Sequence, residues 1–151
     1  MLRMLFRASL LSLACACATT PTAVPVKGAD TEINRLAGDW GGEYEGTDSG
    51  RKGSIQFTLA VGRHTAEGQV VMNAASVTTD PQPLQIKFVQ VAEGQVQGKI
   101  TPYTDPQCEC TVETEFLGRV SGDAIDGTFT TRRVGSEITQ HGKWSVVRKT
   151  P

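Results

Sequence analysis

From Leu36 onward apolar side chains recur at every second residue, and a period of two predicts strands, not helices. Trp40, Gly42 and Tyr44 alternate with Asp39, Gly41, Glu43 and Glu45. Ile55, Phe57, Leu59 and Val61 alternate with Ser54, Gln56, Thr58 and Ala60. The same rhythm returns at Gly68/Val70/Met72, Leu84/Ile86/Phe88, Val96/Gly98/Ile100, Val112/Thr114/Phe116/Gly118/Val120, Ile125/Gly127/Phe129 and Gly142/Trp144/Val146/Arg148. Each segment has one apolar and one wet face, as antiparallel sheets do. Only Thr31–Gly38 reads as helical, over a turn or two ahead of the first strand.

The segments between these runs are short and glycine-bearing, which favours hairpins between chain neighbours. Asp80-Pro81 and Asp105-Pro106 mark longer loops. The pentapeptide AEGQV occurs twice, at Ala66–Val70 and Ala92–Val96. It reads as a hairpin exit both times, because a phosphate-cradling loop needs a following helix N-terminus and none follows. Gly42, Gly68, Gly98, Gly118, Gly127 and Gly142 share parity with the apolar positions, and glycine on an inner face lets a sheet bend and close. The expected fold is all-β, an eight-stranded antiparallel up-and-down barrel.

The first residues follow a different rule. MLRMLFRASLLSLACAC carries Arg3 and Arg7, then an uncharged apolar run too short to span a bilayer, then small residues. That is the layout of an export signal. Its Ala-Cys ending resembles the lipobox of bacterial lipoproteins, in which the cysteine becomes the acylated first residue. Cys17 is favoured over Cys15 because it allows the longer apolar run; a secretory signal cut after an alanine is the alternative. The resemblance implies a lipid (palmitate-type) anchor at Cys17, and the alanine that follows implies delivery to the outer membrane, facing the periplasm. Residues 1–16 are then a leader, 17–30 the acylated cysteine with an extended proline-containing tether, and 31–151 the barrel domain.

Of the 15 Lys+Arg, two lie in the leader, so the remainder is mildly acidic against its 16 Asp+Glu. No basic stripe exists, which argues against a nucleic-acid partner. Gly38-Asp39-Trp40 opens the first long strand and Arg148 lies on the last with the parity of Trp144. A Gly-x-Trp at the first strand with a basic residue on the last resembles the calycins, the lipocalins and avidins among them. The resemblance implies that Trp40 and Arg148 stack to close one end of the barrel, a cation–π contact worth roughly 1–2 kcal/mol when desolvated.

Candidate chemistry is sparse. His64 and His141, the only histidines, fall on a loop and on an outward position, and read as solvated surface groups. Cys108 and Cys110 would sit ~6.5–7 Å apart on a regular strand, at the limit of a disulfide, but the preceding Asp105-Pro106-Gln107 turn brings them into range. A disulfide and a soft-metal clip with a histidine both remain open, and two thiols alone are too few for a closed zinc site. Glu43, Glu45, Glu113 and Glu115 read as an acidic outer wall.

No constellation points to an enzyme, a cofactor or a resident metal. Two readings remain. In the first, the anchored barrel binds a small apolar ligand in a cavity lined by Tyr44, Phe57, Leu59, Met72, Phe88, Phe116, Phe129 and Trp144, with Tyr44, Thr114 and Thr131 orienting it. An interior well below ~300 Å³ would count against that reading. In the second, the barrel is packed and the loops Gly46–Gly53, Ala74–Pro83 and Thr101–Cys110 bind an envelope protein, as periplasmic protease inhibitors with small barrels do. The sequence is silent on oligomeric state.

Overall fold

The structure, a computed structural model, describes residues 22–62, 64–73 and 83–150. Cys15 and Cys17, the leader, residues 74–82 of the expected contact loop Ala74–Pro83 with its Asp80-Pro81, and the side chains of Met72 and Phe88 lie outside the described residues. The alternating segments become β2 (Gly38–Gly46), β3 (Lys52–Leu59), β4 (Thr65–Asn73), β5 (Pro83–Ala92), β6 (Gln95–Asp105), β7 (Cys110–Ser121), β8 (Ala124–Arg133) and β9 (Thr139–Arg148). Ahead of them stand β1 (Val24–Lys27) and the short helix α1 (Asp30–Arg35). Strands β2 to β9 each pair antiparallel with the next, and β9 returns to β2 with Trp40 opposite Arg148 and Tyr44 opposite Trp144. The barrel is closed.

It is nevertheless a nine-stranded, mixed barrel and not the eight antiparallel strands expected. β1 lies in the stretch read as tether, yet it forms part of the wall. It runs antiparallel to β4, with Val24 opposite Ala66, and parallel to β5, with Val26 opposite Val89. The reason is a gap. β4 and β5 pair directly only where Gln69–Val71 meets Pro83–Gln85, and then diverge. Without an inserted strand both edges would keep buried backbone groups unpaired. Val26 drops into the core at 4 % exposure, so a four-residue strand too short to stand alone is held by its socket.

Two bulges account for most remaining departures. Pairing slips between Ile86 and Phe88 on β5, and the buried set passes from Leu84 and Ile86 to Val89 and Val91. A second slip between Ile100 and Tyr103 on β6 accommodates Pro102, which has no N–H to give the ladder. β6 thereby continues to Asp105, through a segment expected to be loop. Val61, expected inside, lies in the turn after β3 and is 73 % exposed.

The repeated pentapeptide divides. Ala92–Val96 is a hairpin, with Glu93 and Gly94 both at positive φ (53° and 70°), the geometry two-residue turns require. Ala66–Val70 is not a turn but the middle of β4. There Gly68 faces inward, and a β-carbon on it would lie 2.5 Å from Ile86 Cδ1. Identical residues serve two geometries because the neighbours differ. Elsewhere the inner glycines make notches filled by rings. The Trp144 indole lies over Gly118 and Gly127, the Phe129 ring over Gly142, and Tyr44 over Gly53 opposite it in register. Aromatic cover of glycine is a recognised device for closing curved sheets.

The two ends of the barrel differ. At the helical end, among tight hairpins, α1 buries Ile33, and its C-cap residue Leu36 is buried after it. A six-residue helix is marginal alone, and Arg148 supports it: Nη2 donates to Arg35 O at 2.6 Å and Nη1 to Ala37 O, while Nε donates to Asp123 at 2.8 Å. Among the described residues the loop end carries the Thr47–Arg51, Pro106–Glu109 and Val134–Ile138 connections.

Candidate functional site

The interior holds an apolar chamber of about 100 Å³. Of the residues expected to line it, Tyr44, Phe57, Leu59, Phe116, Phe129 and Trp144 do so; the side chains of Met72 and Phe88 lie outside the described residues. Aromatic contacts fill much of the lumen. Phe116 meets Trp144 edge-on at 5.8 Å and Tyr44 meets Phe129 edge-on at 6.0 Å. Trp40, fully buried, stacks on Phe57 at 5.8 Å, donates from Nε1 to Leu36 O at 2.9 Å, and has Arg148 4.4 Å from its ring centroid.

Size decides what the chamber can do. Its volume is a third of the ~300 Å³ at the lower end of ligand pockets. Even at the ceiling of about 1.5 kcal/mol per heavy atom, a five-atom guest gains roughly 7 kcal/mol, a Kd on the order of 10 μM at best. A chamber of this size counts against the expectation of a small apolar ligand held in the interior.

Polar groups collect at the loop end: Tyr44, Thr114 and Thr131, expected inside from their parity, are joined by Arg51 and Asp105, which were not. Arg51 and Asp105, 8 % and 3 % exposed, form a bidentate pair with both N–O distances 2.5 Å. This pair joins the β2–β3 connection to the end of β6, across 54 residues of sequence. Asp105 also accepts from Gln107 N at 2.8 Å. Burial works to raise the Asp105 carboxyl, but hydrogen bonds from Arg51 and from the Gln107 and Cys108 amides, with the Arg51 charge, outweigh it and hold it below the usual carboxylate range. The same pairing raises Arg51. Thr114 and Thr131, both buried, share a hydrogen bond at 2.8 Å. Burial, then the neighbouring Tyr103, push the Tyr44 phenol far above its ordinary value, so it stays protonated and a donor. Burial also raises Tyr103.

Two polar atoms here have no hydrogen-bond partner among the described residues: Tyr44 Oη and Arg51 Nε. A buried unmet donor costs about 1–3 kcal/mol. Arg51 falls in a segment read as loop, and Tyr103 and Asp105 follow the β6 bulge, which breaks the parity that would have placed them inside. The one sequence signal, Asp105-Pro106, marked the turn and not the ion pair.

Further side-chain and backbone bonds brace the loop end. Asp48 accepts from His141 N at 2.7 Å and contacts its Nδ1 at 3.1 Å, while Thr47 N donates to His141 O at 2.8 Å. The His141 backbone bond, then the side-chain bond, hold Asp48 below the usual carboxylate range. Val134 N donates to Thr111 O at 2.9 Å. Cys108 and Cys110 are joined in a disulfide, with Cα atoms 5.1 Å apart, on the exposed β6–β7 turn. Val134 and Ile138 stand 51 % and 64 % exposed on the β8–β9 turn.

His64 and His141 are both exposed and lie at opposite ends; His64 faces Asp30 at 3.4 Å, a carboxylate partner the sequence did not indicate. The acidic outer wall is partly neutralised: Glu45 pairs with Lys52, Glu113 with Arg132 and Glu115 with Lys99 across neighbouring strands. Among the described residues no group of three or more His, Cys, Asp or Glu side chains is arranged to hold a metal ion. No protein-family model matches the chain, and no curated protein matches its sequence.

Proposed function

We propose that the chain is a lipid-anchored envelope protein of calycin-like build, held at the outer membrane through Cys17, whose filled barrel presents the loop end to a protein partner. A periplasmic enzyme restrained in the manner of a protease inhibitor is one such partner. The single observation that carries the reading is the buried Arg51–Asp105 clamp, which fastens the β2–β3 connection to the end of β6, at the end of the barrel that also carries exposed Val134 and Ile138. Preorganised loops spare the ordering cost that mobile loops incur on binding. The small interior supports the same reading by leaving little room for a conventional ligand. The Trp40–Arg148 stack and the meander of β2 to β9 support the calycin likeness. No reaction is assigned to the site.

The test places a photo-crosslinking residue at Glu137, on the loop end, or at Glu93, on the helical end, in cells making the full chain. The reading expects a discrete protein adduct from position 137 and none from 93. Adducts of equal yield from both ends, or none from either, would overturn it. In the same cells Cys17→Ala should release the protein from membranes; release by Cys15→Ala instead moves the anchor to that residue.

A further inference from the structure

The Cys108–Cys110 disulfide closes a ring over one residue at the tip of the β6–β7 hairpin, where Cys110 stands opposite Asp105 in the ladder. Cys108 is exposed and Cys110 half-buried, so an incoming nucleophile meets Cys108 first. Glu109, the residue inside the ring, has φ at 48°, left-handed backbone that non-glycine residues seldom adopt. The near half of the turn is held by other means. Asp105 accepts from Gln107 N at 2.8 Å and from the Cys108 amide, and Arg51 fixes the Asp105 carboxylate from the β2–β3 side. A ring this small removes little entropy from the unfolded chain and so contributes little to the fold. By the same thermodynamic cycle the fold contributes little to keeping the ring closed. An accessible cross-link of this kind belongs with the labile disulfides, not the structural ones.

We propose that Cys108 and Cys110 form a thiol–disulfide exchange site whose substrate is a protein dithiol. A substrate thiolate attacks Cys108 Sγ; the bond to Cys110 breaks as the new one forms, and Cys110 leaves as a thiolate that takes a proton from water. The second substrate thiolate then attacks the substrate sulfur of the mixed disulfide and displaces Cys108, which is protonated in turn. Two electrons pass to the chain: the substrate's two thiols become a disulfide, and the chain's disulfide becomes two thiols. The reverse sequence, with a disulfide-bonded protein as oxidant, restores the starting state. The neighbourhood suits a protein cysteine with an apolar flank. Val134 N donates to the carbonyl of Thr111, the residue after Cys110, so the turn bearing exposed Val134 lies beside the exchange site. Glutathione, a small acidic thiol, has no apolar side chain to place there. The site needs neither the lipid anchor nor a standing partner, because exchange is transient and requires only the closed ring.

The test mixes the purified full chain, in native buffer, with a synthetic peptide whose two cysteines are flanked by leucine and valine. Alkylation stops the reaction, and mass spectrometry reads Cys108 and Cys110. Both should become alkylatable while the circular dichroism of the chain stays native, and the peptide should gain a disulfide that it does not gain from the Cys108→Ser, Cys110→Ser double variant. With the oxidised peptide, Cys108 in Cys110→Ser should form a mixed disulfide faster than Cys110 does in Cys108→Ser. Val134→Ser should slow opening by the peptide about fivefold, for the lost apolar contact, and leave opening by dithiothreitol unchanged. A pair that opens only in urea would be a structural cross-link and would overturn the proposal. So would opening by glutathione as fast as by the peptide, or no effect of Val134→Ser, since either leaves a labile bond without a protein-thiol site. Equal trapping at the two cysteines would overturn attack at Cys108. Should a single-cysteine variant fail to fold, the unmodified chain and Val134→Ser decide between them.

Discussion

The two ends of this barrel are closed by opposite chemistry. At the helical end Trp40 is wholly buried, stacked between Phe57 and the Arg148 guanidinium, and its one polar atom is bonded to Leu36 O. Arg148 in turn satisfies the carbonyls left at the end of α1. At the loop end a buried ion pair replaces the indole, and two polar atoms have no partner among the described residues. Burying an indole gains energy by removing apolar area from water. Burying an ion pair must first overcome the desolvation of both charges. The helical end is therefore read as the stability of the fold. The loop end gives rigid geometry at a cost in stability, as expected of a working surface.

The largest effects should separate the two ends by their response to replacement. Trp40→Ala should destabilise by about 3–5 kcal/mol in urea unfolding. Arg51→Ala should cost about as much, 3–5 kcal/mol, by leaving Asp105 charged and alone. The ends diverge when both partners change. Arg51→Met with Asp105→Leu should recover most of the loss, since apolar replacement of a buried pair is often neutral or better. No second change should rescue Trp40→Ala. If the double variant stays as unstable as Arg51→Ala, the loop end is held by its charges for stability after all. Acid gives the same comparison without mutation. The folded Asp105 carboxyl lies below its unfolded value, so its contribution is fully present above about pH 4 and is lost as pH falls through the folded pKa. Asp105→Asn should flatten that acid limb, whereas Trp40→Phe should leave its slope unchanged.

The same contrast explains what was legible in the sequence. On β2 and β9 the period of two is unbroken, so parity places Trp40, Trp144 and Arg148 on one face, while the stacking of Trp40 and Arg148 at one end was expected from the calycin resemblance. The loop end lies beyond a bulge, and one extra residue on β6 carries Tyr103 and Asp105 inward against the parity set by Ile100. Arg51 precedes the alternation of its strand. Its partner is 54 residues away, and no local pattern links them. β1 was missed for another reason. Val24-Pro25-Val26-Lys27 is short and contains proline, and its strand character comes from the gap between β4 and β5, which only the closed fold creates. AEGQV shows the limit most directly, since one pentapeptide is a turn at one site and mid-strand at the other.

A smaller effect tests whether ring-over-glycine packing holds the two ends in register. Gly142 lies under Phe129, and a β-carbon there would overlap that ring and the Glu45 carbonyl. Gly142→Ala should cost about 1–3 kcal/mol by overpacking. Phe129→Leu in the same chain should return part of the loss by removing the overlapping ring. The cost should fall on the whole barrel, visible as a single cooperative transition at lower urea. A local loosening of the loop end alone would mean that each end is stabilised separately.

The smallest effect concerns the disulfide. Cys108 and Cys110 close a ring spanning a single intervening residue, and cross-links that enclose so little chain remove little unfolded-state entropy. Replacing both by serine should therefore cost below about 2 kcal/mol, less than either Arg51→Ala or Trp40→Ala. The turn keeps another fastening, because Asp105 accepts from Gln107 N whether or not the sulfurs are joined. Hydrogen exchange at the Gln107 amide should accordingly stay slow in the double serine variant and become fast in Asp105→Ala. The opposite ranking, with exchange released by the serines, would make the disulfide and not the ion pair the brace of the loop end. The contrast between an apolar end and an ionic end would then have to be redrawn as one between an apolar end and a cross-linked one.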